Sequence, residues 1–160
     1  MQANTVSCKL CKGEMSMQAL DPIEGEDHGV RMRIEGMPAL QCSAGHKRFV
    51  TPDFAIKMMQ ALAESGELVP LDAATEKGLF RKRFCCPGCG QELETGGSDR
   101  VVARRPIEIT GLERFDVELQ VPKFRCASCG RECVEPQRNL ANDLMKASVH
   151  AFQSASVTPT

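Results

Sequence analysis

Two stretches of the 160-residue chain alternate apolar and polar positions with the period of two that is typical of a half-buried β-strand. One stretch covers residues 30–34 and the other covers residues 115–121. We expect residues 107–109 to form the hairpin partner of the second strand, with Gly111 in the turn, and residues 15–19 to pair with the first strand. Each half of the chain therefore predicts a small antiparallel sheet, and the polar residues 21–27 predict a loop.

A helix with an apolar stripe follows each predicted sheet. Residues 51–53 (Thr-Pro-Asp) are typical of a helix start, and the second helix follows Pro136. The stripes consist of Phe54, Ala55, Met58, Met59 and Leu62 in the first helix and Leu140, Ala141, Leu144, Met145 and Phe152 in the second. We expect each helix to cover the sheet of its own half. The alternative is a groove for a partner protein, which the methionines would suit.

The spacing of the cysteines indicates that the two halves are copies of one unit. A C-x2-C pair opens each half, at residues 8–11 and at residues 86–89. A second knuckle closes each half, at residues 42–46 and at residues 126–129. The motif Val-x-Pro follows each second knuckle at the same distance. Shared knuckles, spacing and helix start predict an internal repeat.

The paired cysteines have the spacing of zinc ligands. Structural zinc takes four thiolate or imidazole ligands in a tetrahedral arrangement, and C-x2-C turns supply two at a time. In the first half Gly45 stands where a fourth cysteine would be expected, and we expect the longer side chain of its neighbour to replace it. The sequence predicts two Zn²⁺ ions, one bound by Cys8, Cys11, Cys42 and His46 and the other by Cys86, Cys89, Cys126 and Cys129.

Four other residues bear on this assignment. His28 in a loop and His150 on the last helix are weaker candidates for the fourth ligand of the first site. Cys85 could replace its neighbour as a ligand by a slip of one residue. Cys133 aligns with Phe49 of the first copy, which suggests a packing role, although either spare cysteine could sense thiol oxidation when zinc is lost.

The predicted fold class is α+β, with two tandem zinc ribbons. Each ribbon is a β-hairpin or small antiparallel sheet with two zinc knuckles, followed by one amphipathic α-helix. We expect residues 1–66 to form the first unit, residues 67–79 a linker, residues 80–153 the second unit, and residues 154–160 a flexible tail.

Composition favours metal over disulfides. The chain has nine cysteines, an odd number, and it has no Trp, no Tyr and only seven Phe, so its core is lean. Units of this size need a cross-link, such as a metal ion or a disulfide, in addition to a hydrophobic core. Residues 1–6 show no secretory signal and no apolar run is long enough to span a membrane, so we expect a cytoplasmic protein with reduced cysteines and no membrane partner. Disulfides are the alternative.

Residues 34–42, followed by Val-Thr-Pro at residues 50–52 and a helix, resemble the YgiT/MqsA-type zinc finger. Residues 121–126 and 134–136 are similar. That family joins a C-x2-C knuckle, a long hairpin, an apolar-Pro-Ala run into a second knuckle, and a helix. Its members often form the toxin-binding half of bacterial antitoxins, joined to a DNA-binding helix-turn-helix. This chain has a second zinc module where the helix-turn-helix would follow, so the resemblance implies a protein partner rather than DNA binding. It also has His46 where the family usually has a cysteine.

These patterns predict a non-enzymatic zinc protein that binds a partner protein. Sites with four strong ligands leave no open position for a substrate, and no catalytic motif accompanies them. The net charge of −1 argues against a dedicated polyanion binder. Nucleic-acid binding is the alternative, and a redox or zinc-responsive regulator with a labile first site is the third hypothesis. The cationic residues for nucleic acid are Arg81, Lys82, Arg83, Arg100, Arg104, Arg105, Arg114, Lys123 and Arg125.

Overall fold

The computed structural model describes residues 5–160. In chain order its elements are β1 (Val6–Ser7), β2 (Glu14–Ala19), β3 (Ile23–Asp27), β4 (Val30–Glu35), β5 (Pro38–Cys42), β6 (Lys47–Arg48), α1 (Phe54–Glu64), β7 (Asp72–Ala73), β8 (Thr75–Lys77), β9 (Arg83–Cys85), β10 (Arg100–Ile107), β11 (Phe115–Pro122), β12 (Phe124–Arg125), β13 (Glu132–Val134), α2 (Gln137–Ser154) and β14 (Val157–Thr158). Two helices and small, mainly antiparallel sheets confirm the α+β class.

The two halves of the chain share one central sheet. Its four antiparallel strands have the order β10-β11-β4-β3, so β4 of the first half is hydrogen-bonded to β11 of the second. The pairing places Ile34 opposite Val117 and Met32 opposite Leu119, and all four side chains are fully buried. The central sheet and the main cluster of buried residues therefore extend across the predicted boundaries at residues 66 and 80.

The second helix covers strands of the first half. α2 packs on β3 and β4, and its Phe152 ring meets the Phe49 ring edge-on at a centroid distance of 4.8 Å. Gly25 on β3 allows this close approach, because any side chain there would collide with the α2 backbone at Ala147 and Ala151. α1 in turn contacts β10 of the second half. The expectation that each helix covers its own half is wrong for α2, whereas α1 contacts both halves, since its Phe54 ring lies 5.5 Å from the Phe49 ring and 5.9 Å from the Phe115 ring.

The first half also pairs its strands differently from the prediction. β2 pairs with β5 in a five-stranded sheet of order β1-β2-β5-β6-β14, and the partner of β4 is β3, within the segment expected to be a polar loop. The physical reason is the turn between them. His28 and Gly29 have φ angles of 48° and 78°, and two positive φ values in a two-residue loop are the signature of a type I′ hairpin.

The apolar stripe of α1 agrees with the prediction, because Phe54, Met58 and Leu62 are fully buried. α2 agrees in part: Leu140, Leu144 and Phe152 are buried, whereas Ala141 and Met145 face solvent. The close contact with β3 selects the small Ala147 and Ala151 for the buried face instead.

The segments expected to be linker and tail contain short strands. β7 and β8 lie within residues 67–79, and β7 pairs in parallel with β13. β14 lies within residues 154–160, pairs in parallel with β6 and buries Val157. The end of the chain is therefore tied to the sheet that carries the first group of predicted ligands.

Candidate metal centres

Three of the four knuckles share one hydrogen-bond pattern. The amide of the first cysteine donates to the carbonyl five residues later, and the amide four residues later donates back to the carbonyl of that cysteine. These bonds are 2.8 to 2.9 Å long in the turns that begin at Cys8, Cys86 and Cys126. The residue that donates back has a positive φ in each: 64° at Lys12, 78° at Gly90 and 75° at Gly130.

The fourth knuckle, after Cys42, is one residue shorter. Gly45 donates to the Cys42 carbonyl at 3.0 Å, and the Cys42 amide donates to the His46 carbonyl at 3.1 Å. Gly45 has a φ of 88°, so the turn residue occupies the place where the other knuckles have their second cysteine. The next residue, His46, then brings its Nδ1 atom to the cysteine sulfurs, and the longer imidazole spans the added distance.

The first predicted ligand set comes together in space. Nδ1 of His46 lies 3.5 Å from Sγ of Cys8 and 3.4 Å from Sγ of Cys42, and Sγ of Cys11 lies 3.6 Å from Sγ of Cys42. All four ligand atoms lie within 4.8 Å of one another. A tetrahedral zinc ion with Zn–S bonds of about 2.3 Å needs sulfurs about 3.8 Å apart, so the donor set fits zinc.

The second predicted ligand set is equally compact. The Sγ atoms of Cys86 and Cys129 lie 3.6 Å apart, those of Cys89 and Cys126 lie 3.4 Å apart, and all four lie within 4.8 Å of one another. Cys86 and Cys126 are buried, whereas the other two are exposed. This set also has the dimensions of a tetrahedral zinc site.

Backbone amides prepare one thiol of each cluster to be a ligand. The amide of Cys11 is the main cause that lowers the pKa of the Cys8 thiol to about 6, and the amide of Cys89 does the same for Cys86. The thiolate is the form that binds metal, so these hydrogen bonds favour binding. The Gln91 backbone lowers the pKa of Cys89, but the Cys126 thiol and its other neighbours outweigh it and raise that pKa to about 11. A bound cation would have to displace this proton.

The weaker ligand candidates lie elsewhere. Nδ1 of His150 is hydrogen-bonded at 2.7 Å to the carbonyl oxygen of Glu26. His28 lies between Asp27, at 2.6 Å, and Asp143, at 3.6 Å. Asp27, His28 and Asp143 form a third group of possible metal ligands. Its composition could not be predicted from the sequence, because it joins the turn of the β3–β4 hairpin to α2 of the other half.

The two spare cysteines are buried outside the ligand sets. Cys86, and not Cys85, belongs to the second cluster, so the one-residue slip does not occur. Cys133 packs beside Cys86 and Cys126 in a small apolar cluster with Phe124. Burial raises the pKa of the Cys133 thiol to about 11, so it stays protonated and packs as a small apolar residue.

The predicted cationic surface is largely neutralised. Arg104 lies 2.6 Å from Glu35, 3.2 Å from Asp116 and 3.9 Å from Glu118 across the central sheet. Arg100 and Lys123 also pair with carboxylates. Ion pairs occupy these charges, which leaves fewer cations for phosphate contacts.

No family model, curated protein or solved structure matches the chain. No helix within residues 5–160 is long and apolar enough to cross a membrane. The resemblance to the YgiT/MqsA-type zinc finger stays a prediction, and the geometry of the two ligand clusters is the basis for a functional assignment.

Proposed function

We propose that the chain is a non-enzymatic zinc protein of two tandem zinc ribbons, with a protein partner. The observation that carries the proposal is that each cluster offers four ligand atoms within 4.8 Å of one another. A zinc ion with four protein ligands is closed, so it supplies a cross-link and leaves no position for water or substrate.

The exposed face of α2 supports a protein partner. Ala141, Met145 and Val149 follow one another at a spacing of four residues, which places them on one side of the helix. Met145 is 52% exposed and Val149 is 44% exposed, while the opposite face of α2 packs on β3. Apolar side chains at this spacing fit an apolar groove on another protein, as a toxin would provide if the chain is antitoxin-like.

Metal analysis tests the zinc part of the proposal. We expect the purified protein to carry two zinc ions, and we expect Cys42→Ser, His46→Ala and Cys126→Ser each to carry one. Native mass spectrometry distinguishes the two states directly. A wild-type protein that binds fewer than two ions after refolding with excess zinc would contradict the proposal.

Capture from the native host tests the partner. We expect the wild type to retain a protein in stoichiometric amount and Met145→Glu to lose it. Ile56→Glu is the matched control, because Ile56 is exposed on α1 and lies outside the stripe. Retention by Met145→Glu would exclude the α2 face, and the lack of any stoichiometric protein would count against the partner itself.

A further inference from the structure

The most exposed apolar residues of the described chain lie at one hairpin tip. Leu79 and Phe80 are 95% and 102% exposed, between strands β8 and β9. Large apolar side chains that are adjacent and fully exposed indicate a contact surface more often than a single exposed residue does.

The turn is built so that this tip projects. Gly78 has a φ of 107°, and a Cβ at this position would collide with the carbonyl oxygen of Arg81. Only glycine permits this close approach of the backbone at residues 78 and 81. Leu79 and Phe80, which lie between these two residues, therefore point outward. At its base the hairpin is fixed, because β9 runs into Cys86 and the Phe84 ring stacks on Phe124 at a centroid distance of 6.0 Å.

Positive charge surrounds the tip. Residues 77–83 contain four cations and no acidic residue, in a chain whose net charge is −1. Lys82 lies 3.2 Å from Glu76 and Arg83 lies 4.0 Å from Glu92. Within residues 5–160, Lys77 and Arg81 form no ion pair, so two cations flank the apolar residues without a counter-charge.

The shape of the tip selects among possible occupants. A stable protein interface needs about 800 Å² on each side, and two side chains on a convex turn supply a small part of that area. Single-stranded nucleic acid stacks on aromatic rings, and here only one of the two side chains has a ring. A lipid surface accepts apolar side chains below its headgroups and attracts cations at the headgroup level, which matches both features.

We propose that the Leu79–Phe80 tip inserts into the surface of anionic lipid bilayers while Lys77 and Arg81 contact the headgroups. This is a peripheral contact that needs no membrane-spanning segment. It goes beyond the zinc and partner-binding proposal, and it leaves the α2 face free.

Vesicle binding tests the proposal with the zinc-loaded full chain. The probes are vesicles of phosphatidylcholine alone and of phosphatidylcholine mixed with phosphatidylglycerol. Because the chain has no tryptophan, Phe80→Trp adds a single fluorophore at the tip. We expect its emission to shift to the blue, and to be quenched by brominated lipid, only with the anionic vesicles.

Co-sedimentation of variants gives the magnitude. We expect Leu79→Ser with Phe80→Ser to weaken binding by more than about tenfold, because two apolar side chains no longer leave water. Lys77→Gln with Arg81→Gln should weaken it several-fold and reduce its dependence on salt. Ile56→Ser on α1 should leave binding unchanged. Each variant must retain two zinc ions, which shows that the adjacent second cluster has folded.

Three results would overturn the proposal: no wild-type binding to either vesicle, equal losses for the tip variant and Ile56→Ser, or tip-dependent binding to an oligonucleotide instead of lipid. Lack of vesicle binding would leave the zinc stoichiometry and the capture result unaffected, so the two proposals fail separately.

Discussion

The two clusters of candidate metal ligands are held by different means. In the first, one knuckle connects β1 to β2 and the other connects β5 to β6, and β2 pairs directly with β5. In the second, one knuckle follows β9 and the other follows β12, and these strands belong to separate sheets. The first pair of knuckles is therefore joined by a β-ladder, whereas the second pair has no such ladder between its sheets.

Apolar packing is distributed in the opposite way. At the first cluster the small core consists of two ligands, Cys8 and Cys42, with Met15. At the second cluster Ala74, Leu93, Phe124 and Cys133 are buried with the ligands. A β-ladder between the knuckle strands thus supports the first ligand set, and apolar contacts support the second. A bound metal would add to an ordered sheet in the first case and would join two separate sheets in the second.

Loss of the second metal should therefore cause the larger structural change. We expect Cys86→Ser to release one zinc ion and to expose the amides of β8 and β9 to fast hydrogen exchange, because zinc binding and local folding are coupled. Cys8→Ser is the matched control. It should also release one ion, while the amides between β2 and β5 stay protected. Equal deprotection in the two variants would contradict the comparison.

Removal of apolar support should have the next largest effect. We expect Phe124→Ala to lower the free energy of unfolding by about 3 kcal/mol, because it leaves a cavity beneath the stacked Phe84 ring. Met15→Ala, at the first cluster, should cost about 2 kcal/mol. Denaturant titration with zinc in excess measures both. A larger loss for Met15→Ala would mean that the first cluster depends on packing after all.

The ligand sets could be predicted from the sequence because knuckle spacing is local. The pairing of β4 with β11 could not, since a period-two pattern shows which face of a strand is buried but not which strand lies beside it. The pairing of β3 with β4 had a readable signal. Glu24 lies opposite Arg33 and Glu26 opposite Arg31, on either side of a His-Gly turn. Opposite charges at matching distances from a turn indicate a hairpin.

The packing of α2 also had a signal that the apolar stripe concealed. Large apolar residues predicted Met145 in the core, but the contact with Gly25 needs small residues, which Ala147 and Ala151 supply. A glycine in a strand and alanines in a helix indicate close approach of two backbones. That this strand and this helix, from different halves of the chain, pack on each other is a feature of the tertiary structure, and neither segment indicates it alone.

The short knuckle predicts a ligand preference at the first cluster. We expect His46→Cys to bind zinc at the first cluster at least about tenfold more weakly than the wild type, the loss that is typical when the position of a ligand is disturbed. The reason is that a thiol is too short to reach the ion from the residue after Gly45. Competition with a chromogenic chelator measures the affinity. Insertion of one cysteine between Ala44 and Gly45 in His46→Ala should restore binding, since it reproduces the C-x2-C spacing of the other knuckles, with the positive-φ residue directly after the second cysteine. Tighter binding by the single variant would contradict this account of the loop.

The stability of the junction between the halves should depend on pH through groups that lie outside both clusters of candidate metal ligands. Glu135, just before α2, has a buried Oε2 atom without a hydrogen bond. Burial and the neighbouring Asp143 carboxylate raise the pKa of Glu135 to about 7, from the 4.5 of a free glutamate. The hydrogen bond that His28 donates to the Asp27 carboxylate, together with the negative charges of Asp27 and Asp143, raises the pKa of His28 as well. Both groups bind protons more tightly in the folded protein than in the unfolded chain.

The sign of the resulting pH dependence follows from linkage. A raised folded-state pKa contributes stability that is complete below the unfolded pKa and is lost as pH rises through the folded value. We therefore expect the free energy of unfolding to fall between about pH 6 and pH 8, with zinc in excess, and Glu135 to account for about 1 kcal/mol of this fall after allowance for its partial exposure to solvent. Glu135→Gln should flatten much of this slope, because the amide stays neutral, while Glu94→Gln on the exposed surface should leave it unchanged. A slope of opposite sign, or one that Glu135→Gln leaves intact, would show that the junction does not titrate in this range.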